Sequence, residues 1–155
     1  MSSWRVIEQS EPEFAIRVRH LFDVGRHKTI ATLRSDGSPR ISGIECEFRD
    51  GELRFASMSG ARKLADLNRD PRFALHGPTV HPEEGKEGDW PGEAKISGRV
   101  VPIDAPATSD DAPRDETAFT ADIVEVVITR LNVDASKLVV EWWTPERGLR
   151  TFERQ

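Results

Sequence analysis

Apolar positions along the chain change period several times, and each change marks an element. Phe14, Val18, Leu21 and Phe22 recur at i, i+4, i+7 and i+8, the stripe of an amphipathic helix. Ahead of it Ser10, Pro12 and Glu13 read as a capping box with proline in the first turn, and Gly25 reads as the stop. The run 28–34 is apolar and β-branched, and Asp36-Gly37 marks a hairpin turn after it. A second turn at Asp50-Gly51 separates the run 40–48 from 53–58. Three such runs joined by tight turns predict an antiparallel meander.

Beyond Gly60 the period becomes helical. Over 61–69, Leu64 and Leu67 are apolar while Arg62, Lys63, Asp66 and Arg69 are polar. Asp70-Pro71 ends this short helix, 72–76 resumes as a strand, and the proline- and glycine-rich 78–92 is a loop. Strict alternation returns over 93–103: Ala94, Ile96, Gly98 and Val100 face one way, Lys95, Ser97 and Arg99 the other. The acidic, Pro/Ala-rich segment 104–116 is expected to be mobile. Strands are predicted at 123–131 and 138–144, with a short last one around Thr151-Phe152. The sum is a mainly β domain of six to seven mostly antiparallel strands, with an N-terminal helix and a short helix after the third strand. Full or partial closure into a β-barrel would remove the exposed edges.

With 155 residues, 37% hydrophobic and 32% charged, the chain fits one domain spanning 1–155. Cys46 is the single cysteine, so no internal disulfide forms, and its place in a strand pattern predicts packing rather than reactivity. No run approaches the ~18 apolar residues of a membrane span, and the first residues lack the apolar core of a signal peptide. A soluble, cytoplasmic protein with no membrane partner is the expectation. The net charge of −5 is unevenly spread: residues 1–82 carry 13 Lys/Arg against 11 Asp/Glu, and residues 83–155 carry 9 against 16. Without a basic stripe, nucleic acid is not an expected partner. A small anionic ligand held by the N-terminal half remains open.

The richest segment for chemistry runs from Ser57 to Lys63. A strand ends in Ser57 and Ser59, Gly60 turns the chain, and a helix opens on the adjacent cations Arg62 and Lys63. Free N–H groups and the helix dipole suit a phosphate there, with arginine and lysine adding charge. The same dipeptide also fits two ordinary solvated charges. His76, His81, Glu83 and Glu84 match no metal-ligand spacing. There is no Gly-rich phosphate loop of either standard kind, and Ser57 and Ser59 lack the Gly-x-Ser-x-Gly elbow.

In order, Asp50-Gly51-Glu52-Leu53-Arg54-Phe55-Ala56-Ser57, then Ser59-x-x-Arg62-Lys63-x-x-x-Leu67, then Asp70-Pro71-Arg72-Phe73-Ala74-Leu75 resemble the pyridoxamine 5′-phosphate oxidase-like, FMN-binding split-barrel family. The turn 36–40 and the strand 93–103 fit the same pattern, so the resemblance spans roughly residues 14–103. It implies a homodimer with the cofactor in a groove between subunits, and a small-molecule substrate. By position, Arg62 and Lys63 would hold the cofactor phosphate and Ser57 and Ser59 would line the phosphate or ribityl chain. Arg40, Ile41, Ser42 and Gly43 would run along the isoalloxazine ring. Gly43 suits the close approach of a flat ring, and equally suits a bulge. The C-terminal Trp142, Trp143, Arg147 and Arg150 bring aromatic and cationic residues together as the family's oxidases do, but the arginine–histidine substrate pattern has no residue-by-residue match, and Trp142 and Trp143 equally suit core or dimer packing. The implied activity is hydride transfer by a flavoprotein oxidoreductase, with no side chain assigned as acid or base. Some members of this fold take an F420-type deazaflavin instead, and a non-catalytic flavin- or tetrapyrrole-binding protein is the third alternative.

Overall fold

A computed structural model describes residues 1–103 and 116–155; the acidic segment expected to be mobile lies outside the described residues apart from its last position. Two helices come first, α1 (Trp4–Ser10) and α2 (Pro12–Asp23). Then follow β1 (Lys28–Leu33), β2 (Pro39–Ile44), β3 (Cys46–Arg49), β4 (Glu52–Met58), α3 (Arg62–Arg69) and β5 (Arg72–His76). β6 (Glu93–Ile103), β7 (Glu116–Leu131), β8 (Leu138–Thr144) and β9 (Gly148–Arg154) complete one nine-stranded sheet in which every pairing is antiparallel.

The predicted barrel class holds, with more pieces than the sequence pattern suggests. The main path is β2-β1-β5-β6-β7-β4-β3, and β8 with β9 continues from β7. β7 carries sixteen residues, enough to pair with β4 at its start, β6 through its middle and β8 at its end. The run 40–48 is not the centre of a three-stranded meander. It breaks at Glu45: its first part pairs only with β1 and its second only with β4. The two ends of the sheet are therefore adjacent in sequence and joined by the chain instead of a hydrogen-bond ladder, which is what splits the barrel. Asp50 and Gly51, at φ 55° and 77°, give the β3–β4 hairpin two left-handed residues, the geometry of a type I′ turn.

Inward residues of these strands, among them Ile30, Leu53, Phe55, Leu75, Ile96, Phe119 and Ile128, form one core with the helices. Phe14, Val18, Leu21 and Phe22 are all buried, as their spacing predicts. The helix start differs. Ser10 closes α1 and its Oγ donates back to the Val6 carbonyl at 2.8 Å, while Glu11 precedes α2 without a side-chain cap. α1 is a helix the sequence reading missed, because Trp4 and Ile7 are its only buried positions and span too little to show a period. α2 ends at Asp23, two residues before Gly25. Cys46 packs half-buried against the core, and burial pushes its thiol up to about 11.

One ion network ties α2 to the sheet. Glu141 of β8 is buried and accepts from Arg17 Nη1 and Nη2 at 2.5 and 2.6 Å, and from Arg130 Nε at 3.1 Å. Burial pushes the Glu141 carboxyl up, but the Arg17 and Arg130 bonds outweigh it and hold it below its usual range. A depressed carboxyl contributes stability that is present above its unfolded pKa of about 4.3 and lost as pH falls through the folded value. Glu141→Gln is therefore expected to lower stability at pH 7 by about 1–2 kcal/mol, a figure reduced because Arg17 is half-exposed. The gap from the parent protein should narrow between pH 5 and pH 3 in urea melts; a constant gap would assign the effect to packing.

Candidate functional site

α3 crosses one end of the barrel, packed on β1 and β4. Its sequence dictates which side it turns inward. Leu67 and Asp66 are buried, while Arg62, Ala65, Asp66 and Arg69 recur at i, i+3, i+4 and i+7 and line one cavity. Arg34, Ser35 and Asp36 from the β1–β2 turn and Arg40 from β2 complete the lining of this open cavity of about 310 Å³. Four arginines and two aspartates thus line one space.

Those carboxylates are already engaged. Asp36 Oδ1 accepts from the backbone N and Oγ of Ser38 within its own turn, at 2.9 and 2.6 Å, and these bonds lower its pKa. Asp66 accepts from Thr32 Oγ1 at 2.8 Å, Arg40 Nε at 2.7 Å and Arg69 Nη2 at 3.2 Å. Burial raises the Asp66 carboxyl, and those bonds from Arg40, Thr32 and Arg69 more than reverse the effect. Among the described residues, Arg34 and Arg62 have no carboxylate partner, and the Lys63 side chain makes no hydrogen bond or ion pair.

The predicted site residues separate into three groups. Arg40 and Arg62 meet in the cavity; Lys63, half-buried one position on, is not part of its lining. Ser57 lies on the inward face of β4 with Leu53 and Phe55, is 4% exposed, and its Oγ is a buried hydroxyl with no partner. Ser59 is exposed in the turn that follows. Ala61 enters α3 in extended geometry without a side-chain cap, so the first N–H groups of the helix are not taken by a cap. Ser42 shares the inward side of β2 with Arg40, whereas Ile41 and Gly43 face outward and Ile41 is 74% exposed. The β1–β2 register runs unbroken through Gly43, so Gly43 is not a bulge, and a Cβ there would meet nothing within 4 Å. Outward from Ile41 the cross-strand row continues through Ala31, Ala74 and Ser97, a low floor of small side chains.

The sequence pattern did not single out Asp66 or Arg34. The 62–66–69 spacing was the available signal for Asp66, and it became informative only with Thr32 and Arg40 folded beneath α3. The adjacent tryptophans of β8 point to opposite faces: Trp143 is core, while Trp142 carries the Arg150 guanidinium 4.4 Å above its ring. His76 bridges the Gly77 carbonyl at 2.6 Å and Glu93 at 3.2 Å. No group of three His, Cys, Asp or Glu able to hold a metal occurs among the described residues, and no described helix is long and apolar enough to cross a membrane.

The chain is thus a split antiparallel barrel with a short cation-bearing helix packed on β1 and β4. The family model described as pyridoxamine 5′-phosphate oxidase matches residues 26–147, and the chain belongs to that family. Solved structures share the fold at low identity. A pyridoxamine 5′-phosphate oxidase-related, FMN binding protein from Nostoc punctiforme superposes with a TM-score of 0.62 at 12% identity, covering 100% of this chain and 98% of that one. An F420 reductase gives 0.52 at 16% identity, covering 70% and 94%. A heme binding protein from Mycobacterium smegmatis gives 0.53 at 13%, covering 88% and 86%. Among curated proteins, none matches the chain.

Proposed function

We propose that this protein is an FMN-binding oxidoreductase that acts as a homodimer on a small-molecule substrate. The observation that carries the reading is the Ser57 hydroxyl, buried without a partner where β4 runs into the uncapped start of α3. A buried hydroxyl left unsatisfied costs about 1–3 kcal/mol, and a phosphate oxygen would remove that cost. Arg62 and Lys63 follow directly and have no other engagement among the described residues, and Arg40 adds a third cation. These groups fit a phosphate monoester.

Bound flavin supplies hydride transfer at its ring. The chain's part is to bind, orient and shield. β2 pairs on one side only, so about half of its backbone N–H and C=O groups have no strand partner and are available to a ring's polar edge. Gly43 and the row Ile41, Ala31, Ala74 and Ser97 offer a flat, unobstructed surface. One barrel leaves that surface open, and a second copy laid across it would exclude water from the reacting face; the homodimer follows from that need. The exposed Ile41 and Met58 on the same molecule are consistent with a covered surface.

A second reading, an F420-type deazaflavin in place of FMN, is favoured by the arginine-lined cavity, which extends past α3 to Arg34 and offers cations to a longer anionic tail. Titration with both cofactors, followed by absorption, together with native mass, separates the readings. FMN is expected to bind more tightly, to a species of twice the chain mass. Tighter deazaflavin binding would replace the first reading with the second, and affinity for neither would remove both.

A further inference from the structure

We propose that Asp66 is the positioning residue of the anion site: by holding Arg40 through Nε alone, it presents that guanidinium's two Nη groups to a phosphate monoester. This deepens the FMN reading and rests on it. Asp66 is 3% exposed and sits one helical turn beyond Arg62, on the wall of the cavity. Three donors from three elements converge on it: Thr32 of β1, Arg40 of β2 and Arg69 of α3 itself. Arg69 is anchored further by the Leu33 carbonyl at 2.7 Å. The Arg40 side chain makes no other hydrogen bond among the described residues, so the fork that suits a phosphate remains free while the arm that carries it is fixed.

A buried carboxylate facing an anion site needs a reason, because its charge opposes the ligand and its desolvation is costly. Two guanidiniums bonded to it offset that repulsion, and the arginine at 40 is ordered before any ligand arrives, so less freedom is lost on binding. Lysine could not do the same work. Its three N–H donors radiate from a single nitrogen on a flexible stem, so it has no planar fork to hold the carboxylate on one edge and present a second edge to the phosphate.

The test compares FMN with riboflavin, which lacks the phosphate, in the parent protein, Asp66→Asn, Arg40→Ala and the double variant. The parent's preference for FMN checks the underlying reading: equal affinity for both flavins overturns the phosphate site itself. Given that preference, Asp66→Asn is expected to weaken FMN binding at least tenfold with riboflavin unchanged, and to add nothing further in the Arg40→Ala background. Unchanged or tighter FMN binding overturns the role of Asp66 alone, as do equal losses for both flavins or additive losses in the double variant. Arg40→Lys decides the matter even where Asp66→Asn does not fold: it keeps the charge and is expected to lose FMN affinity as Arg40→Ala does. FMN binding by Arg40→Lys equal to the parent's overturns the proposal.

Discussion

Replacing Arg62 and Lys63 together by alanine is expected to weaken FMN binding by roughly 100-fold or more while leaving riboflavin affinity unchanged. A hydrogen bond to a charged group is worth about 1.5–3 kcal/mol. Arg62 is exposed and Lys63 half-buried, so solvent screening argues for the lower end. Two such contacts still total about 3 kcal/mol, slightly more than two decades in Kd. The single variants should divide this loss unequally. Arg62 lines the cavity shared with Arg40 and Arg69, whereas Lys63 stands outside it, so Arg62→Ala takes the larger share. Raising ionic strength should weaken FMN binding by the parent protein more than by the double variant, because exposed cations are the screened part of the site. Quenching of flavin fluorescence measures each quantity. An unchanged Kd in the double variant would move the phosphate elsewhere, with the Arg34 end of the cavity the first place to look.

Local signals in the sequence were legible where one short segment decides the outcome. The Asp-Gly turns at 36–37 and 50–51 need only their own backbone, and Gly37 and Gly51 take φ of 83° and 77°. The alternation in β6 and the stripe of α2 depend on one apolar face each, and both faces are buried as read. Failures came where a distant segment decides. Ser10 has the composition of a cap, but a preceding helix claims it, and that helix is fixed by Trp4 packing on Phe48 at 4.5 Å between ring centroids. The break at Glu45 depends on β1 and β4 drawing the two halves of one run to opposite ends of the sheet. Asp66 shows the same limit within the site. Among flanking cations on a polar helix it resembles a solvated charge, and its burial is a consequence of Thr32 and Arg40 lying under α3. The segment 57–63 is legible because its turn, cations and hydroxyls are contiguous. The cavity is not, because its wall is assembled from the β1–β2 turn, β2 and α3.

Gly98→Ala is expected to be the most damaging single methyl addition to the barrel. Gly98 faces inward on β6 between Ile96 and Val100, and the β6–β7 register shifts between Ser97 and Gly98, leaving Val124 as the extra residue of a bulge. A Cβ at position 98 would lie 2.0 Å from the Asp122 carbonyl oxygen and 3.1 Å from the Ile123 Cα, both backbone atoms of the neighbouring strand. The backbone there has little room to retreat. Ile123 N donates to the Ser2 carbonyl at 2.8 Å, and Ser2 N donates to Asp122 Oδ1 at 2.9 Å, so moving the bulge also pulls on the start of the chain. Overpacking of this kind costs typically 1–3 kcal/mol, and a backbone clash belongs at or above the top of that range. For a domain of this size, about 3 kcal/mol lowers Tm by roughly 6–12 °C. Gly43→Ala supplies the contrast, since its added methyl meets nothing within 4 Å and should leave Tm nearly unchanged. If the outward face of β2 is where a flavin ring lies, that same harmless methyl should nonetheless weaken FMN binding. Calorimetry and flavin titration on the two variants thus separate a glycine required by the fold from one kept bare for a ligand. A stable Gly98→Ala protein would mean that β7 yields at its bulge, and FMN binding by Gly43→Ala equal to the parent's would remove β2 from the ring's surroundings.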